Sequence, residues 1–209
     1  MCVSKNASIM TLTIGIIGSI LLYYFGNKKY NKENKIYSFF LFYVILMQLF
    51  DYIFWIDQDN KKNLNSIFSY IAPIFNYSQP TILYIIKLWI NNTEISTYYD
   101  KLILFLNIFY VIISIFCYKN YINDKPVLTV KKGSHLDWKW IDHISIFYFA
   151  LFIINIFYKS TLNYSIMAAF IVFGGLFISS KYTDNFIGEI WCFIASIGAL
   201  FFLVGSYLI

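Results

Sequence analysis

Long apolar runs, separated by short polar segments, fill almost the whole chain. Most of these runs are close to the ~20 residues that a helix needs to cross a bilayer. The seven runs are Ala7–Phe25, Ile36–Ile56, Ser66–Ile90, Lys101–Tyr118, Ile141–Tyr158, Asn163–Ser180 and Ile187–Leu208. The pattern predicts an all-α, polytopic membrane protein in which residues 1–209 form one domain, a single bundle of seven transmembrane helices.

The composition agrees with this prediction. The chain is 59% hydrophobic and only 13% charged, whereas a soluble domain has about 25% charged residues. A soluble protein of this size could not bury so much apolar surface in one core, but a bilayer accepts it on the outside of a bundle. The lipid bilayer is therefore the first expected partner.

The basic residues do not indicate a nucleic-acid partner. All of them are Lys, and they lie mainly beside apolar runs, where long Lys side chains reach the membrane interface. Nucleic-acid binders instead cluster basic residues on a solvated face. The abundance of Lys, Asn, Ile, Phe and Tyr is typical of A/T-rich codons, which favours an A/T-rich genome such as that of a protist, a large DNA virus or certain bacteria.

An odd number of crossings places the two termini on opposite sides of the membrane. The N-terminus then shares its side, called the N-face here, with the loops at 57–65, 119–140 and 181–186. The opposite face holds residues 26–35 and 91–100. The first loop carries Lys28, Lys29, Lys32 and Lys35, and the positive-inside tendency places it in the cytoplasm. We therefore expect an extracellular or lumenal N-terminus and a cytoplasmic C-terminus, although the loop at 119–140 is also rich in Lys.

Polar side chains within the runs gather toward the N-face, and the other half is expected to be apolar with a rim of Lys. Asp51 lies about five residues before the end of its run and Cys192 about five after the start of its own, so both sit ~7–8 Å below the N-face. A carboxylate inside a membrane helix costs at least ~2.5–3.5 kcal/mol and normally faces the interior or a wet cavity. We therefore predict an N-face polar pocket. Its candidate residues are Cys2, Ser4, Gln48, Asp51, Asn76, Gln79, His135, Asp137, Trp138, Glu189 and Cys192.

Three of these residues have expected roles. Cys2 can act as an N-terminal nucleophile or a soft-metal ligand, or be a buried small side chain or an acylation site. His135 is the expected proton-exchanging group because its ordinary pKa lies near neutrality, and Trp138 is expected to close the pocket; a flexible loop with a solvated His is the alternative. No catalytic residue, metal or cofactor is assigned.

Small residues and tryptophans have simpler interpretations. Stripes of small residues at helical spacing are typical of close helix packing in membranes, and Trp near helix ends is typical of interfacial anchors. The stripes are Ser8, Thr11, Gly15 and Gly18 in helix 1, and Cys192, Ser196, Ala199 and Leu203 in helix 7; the anchors are Trp55, Trp89 and Trp140.

The opening Met1-Cys2-Val3-Ser4-Lys5-Asn6-Ala7-Ser8 resembles that of a family of small seven-helix membrane proteins of unknown function. Its members open Met-Cys-x-Ser-x-x-Ala-Ser and occur in bacteria, protists and large DNA viruses. Other similar segments are Gln48-x-x-Asp51, Asn76-Tyr77-Ser78-Gln79-Pro80, Gly133-x-His135-Leu136-x-Trp138 and Glu189-Ile190-Trp191-Cys192. The resemblance extends from helix 1 to helix 7 and implies a shared fold, but it carries no activity.

Several functional classes lack their motifs in this sequence. There is no His-x-x-x-His or His-Glu-x-x-His pair for a metal hydrolase, no Lys within helix 7 for retinal, and no Gly-rich phosphate loop. Three hypotheses remain: a membrane protein that binds a small ligand or lipid headgroup at the N-face, a membrane-embedded enzyme using a Cys/His/carboxylate set, and a structural or host-interaction protein of a viral or cellular membrane.

Overall fold

In a computed structural model, the described part of the chain consists of helices, one short β-hairpin and the turns that connect them. The structure describes residues 4–123, 128–132, 135–140, 146–182 and 187–209, with side chains except at 130–132, 135, 137, 173–182 and 187–195. The helices of this part are α1 (Lys5–Phe25), α2 (Asn31–Ile45), α3 (Met47–Ile56), α4 (Leu64–Asn91), α5 (Tyr98–Asn123), α6 (Ile146–Phe157), α7 (Leu162–Tyr182) and α8 (Ile187–Leu208), with a 3₁₀ turn at Lys28–Tyr30 before α2. The hairpin pairs β1 (Val130–Lys132) antiparallel with β2 (His135–Asp137).

Each apolar run contains helix, so the predicted helical fold is confirmed. The second run differs in detail, because it is divided at Leu46 into α2 and α3. The turn there is tighter than an α-helix, since the N–H of Leu49 bonds to the carbonyl of Leu46, three residues back, at 3.0 Å. α1 packs closely against the end of α2 at this point, because a Cβ on Gly15 would lie 2.3 Å from Cγ1 of Ile45. Only Gly fits that contact.

Three helical segments of the described chain are long and apolar enough to cross a membrane. They are Lys5–Phe25, Lys28–Ile56 and Tyr98–Asn123, while Ile146–Phe157, Leu162–Val172 and Ser196–Leu208 are shorter apolar helices. α5 leaves large apolar side chains such as Phe105 and Ile115 about 60% exposed. A continuous apolar exterior of this kind is typical of proteins that face lipid.

Local sequence explains where α1 and α5 begin. The hydroxyl of Ser4 accepts a hydrogen bond from the N–H of Ala7 and caps α1. At α5, Thr97 and Asp100 form a reciprocal capping box, with Thr97 N–H donating to the Asp100 carboxylate and Asp100 N–H donating to the Thr97 hydroxyl. These contacts satisfy N–H groups that the first helical turn leaves without partners.

α4 contacts α2, α3, α5 and α6, and neighbouring helices repair the break that proline makes in it. Pro73 has no N–H to donate to the carbonyl of Ser69, four residues back. The hydroxyl of Tyr121 in α5 donates to that carbonyl instead, at 2.9 Å. A similar bond runs from the hydroxyl of Tyr110 to the carbonyl of Tyr77. Side-chain donors from α5 therefore hold the two helices together.

The predicted packing stripe of α1 is confirmed, whereas one predicted Trp anchor is wrong. Ser8 and Thr11 are buried, and a Cβ on Gly18 would lie 3.3 Å from Cβ of Ala199 in α8. Trp89 is 64% exposed, as an interfacial anchor would be. Trp140 is fully buried in an aromatic cluster between helices, because the segment after the hairpin folds into the N-face half.

Candidate functional site

Asp51 lies at the centre of a buried polar network on the N-face side. Its Oδ1 accepts a hydrogen bond from Nε1 of Trp138 at 3.0 Å, and its Oδ2 accepts one from Nε2 of Gln48 at 3.3 Å. The Oε1 of Gln48 accepts in turn from the hydroxyl of Thr11 at 2.5 Å. Asp51 and Gln48 have no exposed surface, and Thr11 and Trp138 have very little. The network joins α1, α3 and the segment after β2.

Trp138 reaches Asp51 because the chain after the hairpin is anchored in the bundle. Its ring stacks on that of Trp140, with centroids 5.2 Å apart and an interplanar angle of 20°. The carbonyl of Trp140 accepts a hydrogen bond from the hydroxyl of Tyr77 in α4 at 2.8 Å. Leu136 of β2 is buried in the same cluster. The described part of this connection is thus packed, and Trp138 covers Asp51 from the loop side.

Asn76 and Gln79 are also buried, on the same side of α4. The Oε1 of Gln79 accepts a hydrogen bond from the hydroxyl of Tyr148 in α6 at 2.7 Å. Its Nε2 is buried and has no hydrogen-bond acceptor among the residues with described side chains. An unsatisfied buried donor costs about 1–3 kcal/mol. A hydrogen-bond acceptor placed beside Nε2 of Gln79 would therefore be stabilised.

The remaining candidate residues are distributed differently. Ser4 is exposed and caps α1, so it does not lie among the buried groups. His135 and Asp137 have described backbones only, paired in the hairpin with Lys132 and Val130. Glu189 and Cys192 lie in α8 with side chains outside the described set, and Cys2 lies outside the described residues altogether. Their place in the predicted pocket therefore stays a prediction.

No group of three or more His, Cys, Asp and Glu side chains that could hold a metal ion occurs in the described portion of the chain. Asp142 and His143, which open the fifth apolar run, fall outside that portion. The chemistry that can be described around Asp51 is hydrogen bonding: a carboxylate and amide oxygens that accept, and amide and indole N–H groups that donate.

A second polar cluster lies toward the opposite face, and it shows that the prediction of an apolar half was wrong. Lys87 of α4 is fully buried, and its Nζ donates to the carbonyls of Asn155, Ile156 and Tyr158 at 2.6, 2.7 and 2.8 Å. These carbonyls end α6, where the helix dipole is negative and the last C=O groups lack helical partners. The ammonium group of Lys87 has three N–H donors, and the three carbonyls accept all of them.

The same cluster contains a buried pair of amides. Asn107 of α5 and Asn155 of α6 exchange hydrogen bonds between their side chains at 3.2 and 3.0 Å. The amide nitrogen of Asn155 also donates to the carbonyl of Pro80 at 2.9 Å. Nearby, Oδ1 of buried Asp100 binds the hydroxyl of Tyr158 at 2.7 Å and the ammonium of Lys159 at 2.8 Å. The polar groups of this half link α4, α5 and α6 to one another.

Asp57, between α3 and α4, organises the N-face end of α4. Its carboxylate accepts from the backbone N–H groups of Lys62, Leu64 and Asn65 at 3.1, 2.8 and 3.3 Å. Burial alone would raise the pKa of Asp57, but these three donors and the charge of Lys62 outweigh it and hold the pKa below its ordinary value. The ionised form of Asp57 therefore stabilises the folded start of α4.

Fold and site together define a helical protein with three candidate membrane spans and two buried polar clusters, one around Asp51 and one around Lys87. Comparison of the chain with models of protein families, with curated proteins and with solved structures gives no match.

Proposed function

We propose that the protein is an integral membrane protein that crosses the bilayer seven times and binds a small polar ligand or a lipid headgroup at an N-face site centred on Asp51. The carrying observation is the complete burial of this carboxylate beneath Trp138. An ionisable residue inside a membrane helix is expensive, and by default it marks a functional site. The N-terminus would be extracellular or lumenal and the C-terminus cytoplasmic.

Two helices that are not among the three candidate spans, α6 and α4, have features that support seven crossings. The described part of α6 is 12 residues long, and the buried ammonium group of Lys87 donates to carbonyls at its end. Such satisfaction of backbone groups away from water is what a bilayer demands. α4 is 28 residues long and carries its polar groups inward, so its outer face can meet lipid although its composition is not strongly apolar.

The ligand proposal is supported by the mixture of donors and acceptors at the site. Around Asp51, the carboxylate and the amide oxygen of Gln48 accept hydrogen bonds, and the amide of Gln48 and the indole of Trp138 donate them. A ligand with both hydroxyl or amine donors and an oxygen acceptor would suit this arrangement. The aromatic stack of Trp138 and Trp140 forms an apolar cover that excludes water, and exclusion of water strengthens polar contacts beneath it.

The test uses Asp51→Asn, which keeps the size of the side chain but removes its charge. The matched control is Asp59→Asn, because Asp59 is exposed and pairs with Lys61 in the loop on the same side. Each protein would be purified in mild detergent, extracted with organic solvent and examined by mass spectrometry, alongside a density map of the N-face half.

We expect wild type and Asp59→Asn to retain the same small molecule, with density beside Asp51 and Gln48, and Asp51→Asn to lose it. Identical retention by all three proteins, or a wild-type map in which the region is filled by protein alone, would rule the site out.

A structural membrane protein is the second candidate function, and the cluster near Lys87 favours it. The Lys87 ammonium, the Asn107–Asn155 pair and Asp100 all bond to neighbouring helices, as expected of groups that set a rigid architecture. A filled N-face half would support this candidate. The enzyme hypothesis depends on Cys2, His135 and Cys192, whose side chains are not described, so it stays a prediction, as do the family resemblance and the suggested genome type.

A further inference from the structure

A groove runs along the outer surface between α1 and α2, on the half of the fold toward the opposite face. Its volume is about 400 Å³. Ile20 and Tyr23 of α1 form one wall, and Phe39 and Phe42 of α2 form the other. Ile20, Phe39 and Phe42 are between 37% and 50% exposed, so the groove opens outward and its apolar walls remain uncovered.

A positive charge lies at the mouth of this groove. The Nζ of Lys35 is 5.7 Å from the centroid of the Tyr23 ring, which lines the groove. Lys35, Phe39 and Phe42 are spaced i, i+4 and i+7, so they share one face of α2. Lys32 is exposed one turn earlier. Among the described ion pairs, neither Lys32 nor Lys35 has an acidic partner, so both ammonium groups are available to an anion.

A hydroxyl without a partner lies inside the groove. Ser19 lines it and is 2% exposed, and its Oγ has no hydrogen-bond partner among the described residues. The hydroxyl of Ser38, across the groove, is already used, because it donates to the carbonyl of Ser19 at 2.7 Å. Ser38 is three residues after Lys35, so the contact between Ser38 and Ser19 lies roughly 4.5 Å further along α2 than the Cα of Lys35.

We propose that this groove binds one anionic phospholipid. The phosphate pairs with Lys35, assisted by Lys32, and the Ser19 hydroxyl donates to an ester carbonyl just below the headgroup. One acyl chain packs against Ile20, Phe39 and Phe42. The charge, the buried donor and the apolar walls follow one another in the order in which a phospholipid presents its phosphate, ester and tail groups. This site is separate from the N-face site around Asp51.

The test compares phosphatidylglycerol with phosphatidylcholine of identical acyl chains, titrated onto the detergent-purified protein and counted by native mass spectrometry. Lys35→Gln removes the charge at the groove. Lys61→Gln is the matched control, because that exposed Lys lies in the loop between α3 and α4. Ile20→Trp fills the groove from a half-exposed position, and Ser19→Ala removes the donor that both lipids would use.

We expect wild type and Lys61→Gln to bind phosphatidylglycerol more tightly than phosphatidylcholine. Lys35→Gln should weaken phosphatidylglycerol binding about fivefold and phosphatidylcholine binding less, because the choline ammonium offsets the charge of the phosphate beside it. Ser19→Ala should weaken both lipids, and Ile20→Trp should abolish the specifically bound lipid.

Equal lipid preference in Lys35→Gln and wild type, or undiminished binding by Ile20→Trp, would overturn the proposal. The thermal midpoint of each variant shows that it remains folded. Lys32→Gln, an exposed change that cannot disturb packing, provides a second charge variant with the same expected direction.

Discussion

The indole N–H of Trp138 donates to Oδ1 of Asp51 at 3.0 Å, although 87 residues separate them in the chain. This single bond ties the connection between α5 and α6 to the middle of α3. Hydrogen bonds to charged groups contribute about 1.5–3 kcal/mol, so the contact fixes both the carboxylate and the loop.

Trp138→Phe keeps an aromatic ring but removes the donor to Asp51. We expect the free energy of unfolding to fall by about 2 kcal/mol, measured as a lower thermal midpoint in detergent. Trp89→Phe is the control, because Trp89 is largely exposed and should change the midpoint little. If the two variants had the same midpoint, the bond to Asp51 would not stabilise the fold.

Lys87→Met keeps most of the unbranched side chain and removes its three donors. Three buried carbonyls at the end of α6 would lose their partner, and we expect destabilisation of at least about 3 kcal/mol. Lys101→Met serves for comparison, since Lys101 is exposed near the start of α5. A Lys87→Met protein as stable as the comparison variant would mean that the ammonium group contributes nothing net.

The Asn107–Asn155 pair can be measured by a double-mutant cycle with alanine at each position. Contacting residues in one hydrogen-bond network typically show coupling energies of about 0.5–3 kcal/mol. We expect about 1 kcal/mol here, because interhelical hydrogen bonds in membranes are of that order. Additive effects of the two substitutions would show that the bonds to Ile103 and Pro80, rather than the pair itself, hold these amides.

Asp57 makes stability depend on pH at the acidic end. Its pKa is lower in the folded protein than in the unfolded chain, so its contribution is fully present above the unfolded value of about 3.9 and is lost as the pH falls through the folded value. We expect the thermal midpoint of wild type to drop below about pH 4, and Asp57→Asn to show a smaller drop from a lower starting midpoint. Asp59→Asn should retain the wild-type profile.

The proposed topology has its own test. Single cysteines introduced at Lys29 and Lys61, in a background without native Cys, would be labelled in intact cells with a membrane-impermeant maleimide. We expect labelling at position 61 and none at position 29 until the cells are opened, because the two loops would lie on opposite sides. The reverse pattern would show that the orientation is inverted. Labelling of both positions in intact cells would show that the two loops lie on the same side, so that the chain crosses the membrane fewer than seven times.

The sequence pattern predicted the helices well, and it predicted that Gln48 and Asp51 would face inward, where both are buried. Gln48 and Asp51 share a face at i and i+3, and the cost of exposing a carboxylate to lipid is enough to turn that face inward. The break at Leu46 could not be foreseen, because the residues around it contain no Pro or Gly that would mark an end of the helix.

Lys87 shows why the second polar cluster could not be predicted. It lies four residues before the end of α4, a position where Lys ordinarily extends to the interface. Its actual partners are carbonyls 68 to 71 residues later in the chain, and nothing in the hydrophobic pattern distinguishes them. In the sequence, Asn107 and Asn155 are isolated amides 48 residues apart, and only the packing of α5 against α6 brings them together.

The bond from Tyr121 to the carbonyl of Ser69 has a consequence for biosynthesis. α5 is translated after α4, so when α4 leaves the ribosome the carbonyl opposite Pro73 has no donor from the protein. α4 is also too polar to be counted among the apolar spans. We therefore expect α4 to stay beside the aqueous translocation channel until α5 emerges, and the two to enter the membrane as a pair. A nascent chain ending after α4 would keep that helix accessible to water.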